Sequence, residues 1–220
     1  MSILDEKVKE QVKDMFKDLV NPIKLVVFTQ DSLISMPGLE CETCKDNRNL
    51  MEDVASLSDK ITLEVYDFTK DKNKVEEYKI DKIPATIIQD SADHGIRIYG
   101  MPAGYEFPTL LSAIRTVSRS EPELSDETKE KLTQITRPVH IQVFVTLTCP
   151  YCASAASLAH RMAFQNGNVK ADVVNVQEFP QLGQRYGVFA VPKTVVNEST
   201  QFEGALPEQK FLEKILQTQE

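Results

Sequence analysis

Cys149-Pro150-Tyr151-Cys152 follows the β-rich run His140-Ile141-Gln142-Val143-Phe144-Val145 and opens a helical stretch that runs toward Asn166. Two cysteines two residues apart can close a disulfide and reopen it by thiolate attack. Pro150 falls where the first helical residue is expected, since its missing N–H costs nothing there and its fixed φ suits a helix start. Cys149 is then expected at the positive end of the helix dipole, which favours a thiolate, the attacking species in disulfide exchange. At that exposed cap Cys149 reads as the nucleophile. Cys152, one turn in, reads as the shielded resolving thiol.

Val191-Pro192-Lys193-Thr194 comes next, ahead of a short β-rich run. A proline at a strand entry can hold a cis bond. The first half of the chain repeats this layout. Cys41-Glu42-Thr43-Cys44 precedes Ile83-Pro84-Ala85-Thr86, and Cys41 to Pro84 spans 43 positions, as does Cys149 to Pro192. Between these landmarks the copies align at an offset of 108: Leu63-Glu64-Val65-Tyr66-Asp67 with Ala171-Asp172-Val173-Val174-Asn175, and Tyr78 with Tyr186. Before the cysteines the offset is 116, matching Pro22 with Pro138 and Phe28 with Phe144. The first copy thus carries eight extra residues between strand and CxxC, in the polar stretch around Gln30 to Glu40. A repeat this long means two whole domains rather than a solenoid.

CPYC is the glutaredoxin motif, and CxxC followed by Val-Pro or Ile-Pro is the thioredoxin-fold pattern. Two such pairs at matched spacing, with CPYC in the second, make nearly the whole chain resemble the protein disulfide oxidoreductases (glutaredoxin-like proteins) of thermophilic archaea and bacteria. The resemblance implies edge-to-edge pairing of the two central sheets. It implies Pro84 and Pro192 lying in cis against the disulfides, with the backbone of Ile83 or Val191 pairing with an extended substrate beside Pro150 and Tyr151. It implies electrons from a flavin- and NADPH-dependent, thioredoxin-reductase-type flavoprotein. The chemistry itself calls for no organic cofactor and no metal.

Length and composition agree with two domains. At 220 residues, two copies of about 110 each can bury a core of their own. The net charge of −8 argues against nucleic acid, because phosphate contacts need basic clusters. The start, Met1-Ser2-Ile3-Leu4-Asp5-Glu6-Lys7, turns charged at once, unlike a signal peptide, and no apolar run approaches a bilayer span. A cytoplasmic protein without membrane contact is expected. All four cysteines lie in CxxC pairs, which fits redox chemistry better than a secreted disulfide framework. Zinc is the rival for two CxxC pairs, but ribbon sites space the pairs about 15 to 20 residues apart. Here Cys44 and Cys149 are 105 positions apart, each pair heading its own helix.

The expected fold is α/β: two tandem thioredoxin-fold units, each a central mixed sheet flanked by helices, in the order βαβαββα with an added leading helix. The units are read as residues 1–118 and 124–220. Val8, Val12, Phe16 and Leu19 predict a helix over 5–19, and Ile23 to Thr29 an apolar, central strand. A strand over 61–68, a charged helix over 72–78, a hairpin around 91–95 and a helix over 105–117 complete the first unit. Ser118-Arg119-Ser120-Glu121-Pro122-Glu123 is polar and reads as the linker. Ser125 caps a helix expected over 126–135.

The function expected is thiol–disulfide exchange on protein substrates, through a mixed disulfide on Cys149, with Cys41 and Cys44 as a second couple. The alternative is an electron carrier reducing a peroxiredoxin, similar to the tandem module of bacterial alkyl hydroperoxide reductase. Glu40 and Glu42 flank Cys41 and disfavour its thiolate, with Lys45 and Arg48 offsetting part of that. The chain has no tryptophan; Thr148 and Glu40 stand before the two motifs. The carboxylate that thioredoxins bury six residues before the first cysteine is replaced by Val143, and by Val27 in the first copy. Proton transfer at the resolving thiol therefore needs another group or water. His94, His140 and His160 match no catalytic or metal spacing.

Overall fold

The computed structural model describes residues 2–30 and 41–219. The eight-residue insertion and Glu40 lie outside the described residues. The first unit runs α1 (Glu6–Met15), β1 (Ile23–Thr29), α2 (Cys44–Ala55), β2 (Ile61–Asp67), α3 (Lys72–Tyr78), β3 (Ala85–Gln89), β4 (Ile96–Tyr99) and α4 (Phe107–Arg119). The second runs α5 (Asp126–Leu132), β5 (Val139–Val145), α6 (Cys152–Gln165), β6 (Val169–Asn175), α7 (Pro180–Arg185), β7 (Lys193–Val196), β8 (Thr200–Glu203) and α8 (Glu208–Leu216). Among the described residues no helix is long and apolar enough to cross a membrane.

All eight strands join one mixed sheet, ordered β2-β1-β3-β4-β6-β5-β7-β8. In each unit the central strand, β1 or β5, is parallel to one neighbour and antiparallel to the other. Both central strands are apolar runs because both of their faces are covered. Leu25 and Val27 point into the larger core with α2, α4 and α6, whereas Val26 and Phe28 point into a second core with Tyr78 and Tyr186. Val143 and Val27 are fully buried in the larger core, so the positions beneath the cysteines carry no charge. The units meet where β4 pairs in parallel with β6, from Ile96↔Ala171 to Tyr99↔Val174, and where α4 packs on α6.

Three boundaries differ from the sequence reading. The first helix ends at Met15 and tightens into a 3₁₀ turn over Phe16–Asp18, after starting at Asp5, whose carboxylate accepts from Val8 N at 2.9 Å. Helix α5 ends at Leu132, because Asn166 Nδ2 takes the carbonyls of Leu132 and Ile135 at 2.7 and 3.1 Å. The stretch 118–123 read as the linker overlaps the end of a helix. Helix α4 continues to Arg119, and Ser118 is buried, its hydroxyl donating to Asn21 O at 2.7 Å and accepting from Val20 N at 3.0 Å.

Candidate active site

Each CxxC sits between the end of a central strand and the start of a core helix. After β5 the chain turns, with Cys149 N donating to Thr146 O at 3.2 Å, and Cys152 N donating to Cys149 O at 3.3 Å. Helix α6 begins at Cys152 rather than at Pro150. The i→i+3 bond makes Pro150-Tyr151 a tight turn ahead of the α-helical ladder. Cys149 therefore stands one turn outside the helix, in line with its positive end, rather than as its cap. Cys152 is fully buried and Cys149 half-buried; Cys44 and Cys41 show the same division. Both pairs are disulfide-bonded, with Cα–Cα separations of 5.4 Å for Cys41–Cys44 and 5.5 Å for Cys149–Cys152.

The fold brings the two prolines to the cysteines. Ile83–Pro84 and Val191–Pro192 are both cis. Cys149 Sγ lies 3.6 Å from the carbonyl oxygen of Val191. Pro192 is buried, and its carbonyl accepts from Gly204 N at 2.8 Å; Pro84 O accepts from Gly100 N at 3.0 Å. Pro150 and Tyr151 face solvent beside Cys149, and Tyr151 is 69% exposed.

Around Cys41 the surroundings are different. Cys41, Glu42, Thr43, Ile83 and Pro84 line one side of a cleft of about 300 Å³. Gln177, Glu178 and Pro180 of the second unit line the other. Glu42 is exposed. Arg48 is paired with Glu52 at 2.8 Å.

Three residues beside these sites have no motif to announce them. Glu106 ends the 3₁₀ turn Gly104–Glu106, in which Tyr105 N donates to Leu147 O at 3.0 Å, two residues before Cys149, and this turn packs on α6. Glu106 is 2% exposed, and neither carboxylate oxygen has a hydrogen-bond partner among the described residues. Burial pushes its pKa from 4.5 up to about 7, against a downward pull from the nearby Thr109 hydroxyl. The only available signal was an acid standing alone at the head of Phe107-Pro108-Thr109-Leu110-Leu111. Glu178 reaches the CETC turn from the other unit. Phe189, two residues before Val191, is 97% exposed. The histidines are structural: His140 Nε2 pairs with buried Asp172 at 2.7 Å, His94 with Asp90 at 3.0 Å, and His160 Nε2 bonds Arg97 O at 3.2 Å.

The sequence matches the thioredoxin domain family over residues 33–110 and again over 139–217. The chain belongs to that family. A protein disulfide oxidoreductase from Aeropyrum pernix is similar at 31% identity and a TM-score of 0.87, with 97% of this chain and 94% of that one covered. The N-terminal domain of alkyl hydroperoxide reductase AhpF from Enterococcus faecalis superposes at a TM-score of 0.87 with 24% identity, covering 96% of this chain and 99% of that one. The corresponding AhpF protein of Pseudomonas aeruginosa is 23% identical over 97% of this chain. This chain spans only 37% of that relative's length. With a CxxC in each of its two thioredoxin domains, the chain is a thioredoxin-fold disulfide oxidoreductase with two redox centres.

Proposed function

We propose that the substrates are protein disulfides and dithiols, exchanged at Cys149-Pro150-Tyr151-Cys152. Residues 1–118 and 124–220 act as two units carrying one couple each. The observation that carries the reading is the placement of half-buried Cys149 against Val191, ahead of cis-Pro192, with Cys152 fully buried behind it. In the reductive direction the Cys149 thiolate attacks one sulfur of a substrate disulfide. That bond breaks, and the departing sulfur leaves as a thiolate and takes up a proton. Cys152 then loses its proton and attacks Cys149, releasing the substrate as its second thiol and leaving Cys149–Cys152 oxidised. The reverse sequence oxidises a dithiol.

Glu106 is our candidate for the proton acceptor and donor at Cys152. Among the described residues, Glu106 and Asp172 are the buried carboxylates, and Asp172 is engaged by His140 and Lys170. A pKa near 7 suits proton transfer in either direction at neutral pH. A thioredoxin-reductase-type flavoprotein would return the electrons, and the cytoplasm is the compartment we assign. The likeness to the AhpF proteins of alkyl hydroperoxide reductase favours a second reading, an electron carrier that reduces a peroxiredoxin.

The wild-type chain is expected to reduce an insulin-type disulfide with dithiothreitol as electron source. Cys149→Ser should lose nearly all of that activity, while Cys41→Ser keeps most of it. Near-wild-type turnover in Cys149→Ser would move the main site elsewhere. Faster exchange with a peroxiredoxin disulfide than with insulin would select the second reading.

A further inference from the structure

Glu178 lies on the loop after β6, in the second unit, yet its side chain is tied to the site of the first. One carboxylate oxygen accepts from the Thr43 hydroxyl, inside the CETC turn. The other accepts from Met101 N at 2.8 Å and from Asn175 Nδ2 at 2.9 Å. Gly100 precedes Met101, and its N–H holds the carbonyl of cis-Pro84 at 3.0 Å. A Cβ at Gly100, whose φ is +98°, would stand 2.7 Å from Glu178 Oε1, so glycine leaves the carboxylate its place. One side chain therefore joins both halves of the Cys41 site, the CxxC turn and the turn that carries the proline carbonyl.

The second site serves as an internal control. Gly204 N holds Pro192 O at 2.8 Å in the same way, but nothing lies within 4 Å of a Cβ built at Gly204. Tyr151, which matches Thr43 in the repeat, points to solvent. The clamp is present at one couple and absent from the other.

We propose that Glu178 is a positioning residue for the Cys41–Cys44 couple, one that holds the CETC turn and biases the pair toward the disulfide. This inference rests on the reading of CETC as a redox couple. Reduction by two glutathione thiols breaks the Cys41–Cys44 bond, places two electrons and two protons on the pair as two thiols, and yields one glutathione disulfide. The Glu178 carboxylate lines the same cleft as Cys41, and a negative charge there disfavours the thiolate that forms. It also engages the Thr43 hydroxyl and Met101 N–H as donors, so they do not turn to the sulfur.

The test equilibrates the full chain in glutathione buffers, quenches with acid, alkylates the free thiols and counts them for each CxxC peptide by mass. Glu178→Gln should shift the Cys41–Cys44 equilibrium toward the dithiol by about fivefold, the scale of one partly exposed charge. The Cys149–Cys152 equilibrium should stay at its wild-type value, which also reports that the variant is folded. Thr43→Val keeps the charge and removes only one anchor of the turn, so it should move toward the dithiol by less than Glu178→Gln does. An unchanged Cys41–Cys44 equilibrium in Glu178→Gln, or an equal shift in Thr43→Val, would overturn the inference. A wild-type Cys41–Cys44 pair that fails to interchange with glutathione at all would overturn the redox reading of CETC and the inference with it.

Discussion

The two redox turns occupy the same place in two copies of one fold, and what lies across from each differs. CPYC opens onto solvent with Tyr151 and Phe189 exposed on its rim. CETC faces a cleft whose far wall is the second unit, with the carboxylates of Glu42 and Glu178 in it. The other carboxylate at issue, Glu106, comes from the first unit and sits buried by the CPYC turn. Each site thus draws one glutamate from the opposite unit, and the two environments differ sharply. On the substrates proposed above, an exposed ring beside CPYC would favour an extended chain, because burying a ring returns free energy in proportion to area. A duplicated motif can diverge in this way without any change to its cysteines.

The contrast fails most visibly if the cysteine roles are wrong. Cys152→Ser should accumulate mixed disulfides with substrate, since the covalent intermediate loses its internal exit. Non-reducing gels that show none, while Cys149 still alkylates, would remove Cys152 from its role. The next effect belongs to Glu106. Glu106→Gln should slow disulfide reduction on the order of 100-fold and remove an ionisation near pH 7 from the rate profile.

The same residue makes a stability prediction with a defined sign. Between pH 4.5 and about 7 the folded state keeps a proton on Glu106 that the unfolded state releases. Its contribution is therefore full below 4.5 and is lost as pH rises through 7, by on the order of 3 kcal/mol. His160 works the other way. Burial holds it neutral, with its pKa lowered from 6.5 to about 4, so its share is lost as pH falls through that window. Urea melts of wild type and Glu106→Gln at pH 5 and pH 8 separate the two, and a pH-independent difference between the proteins would refute the buried-acid assignment.

Smaller effects bear on the rims of the two sites. Phe189→Ala should raise KM for a protein disulfide by roughly fivefold to tenfold, the scale of a partly buried ring, and leave small-disulfide turnover unchanged. An equal loss on both substrates would mean that Phe189 supports the proline loop instead of docking substrate. The smallest expected difference is in potential. The carboxylates near Cys41 should make its couple the more reducing by some 20 mV, about 1 kcal/mol in a two-electron exchange. Equal potentials in the two couples would mean that the cleft screens both acids.

Much of the molecule is legible in the chain, and the reason is local. Strand, turn and helix around each CxxC are set by apolar runs, by a proline after the first cysteine of CPYC and by β-branched residues, all within about twenty positions of the motif. The matched spacing from cysteine to proline then reveals two copies of one unit. The misreadings are local as well. Polarity at 118–123 suggests a linker that begins at Ser118, but α4 continues to Arg119 and Ser118 is buried, its hydroxyl satisfying the backbone at Val20 and Asn21, nearly a hundred residues away. The helix start expected at Pro150 is displaced to Cys152 by a single tight turn.

Amino-acid order is enough to specify the fold, the duplication, the four cysteines and the two prolines, because each is written in residues close along the chain or in a repeat of them. The remainder of each site exists only in three dimensions. Glu106 lies 43 positions from Cys149 and Glu178 lies 135 from Thr43, so no periodicity or motif links them. They come near these turns only because β4 pairs with β6 and α4 packs on α6, which brings the turn at Glu106 to Leu147 and Glu178 to Thr43. Whether a glutamate is a solvated surface charge or a buried acid with a pKa near 7 depends on what covers it, and here the covering surface includes the other half of the molecule.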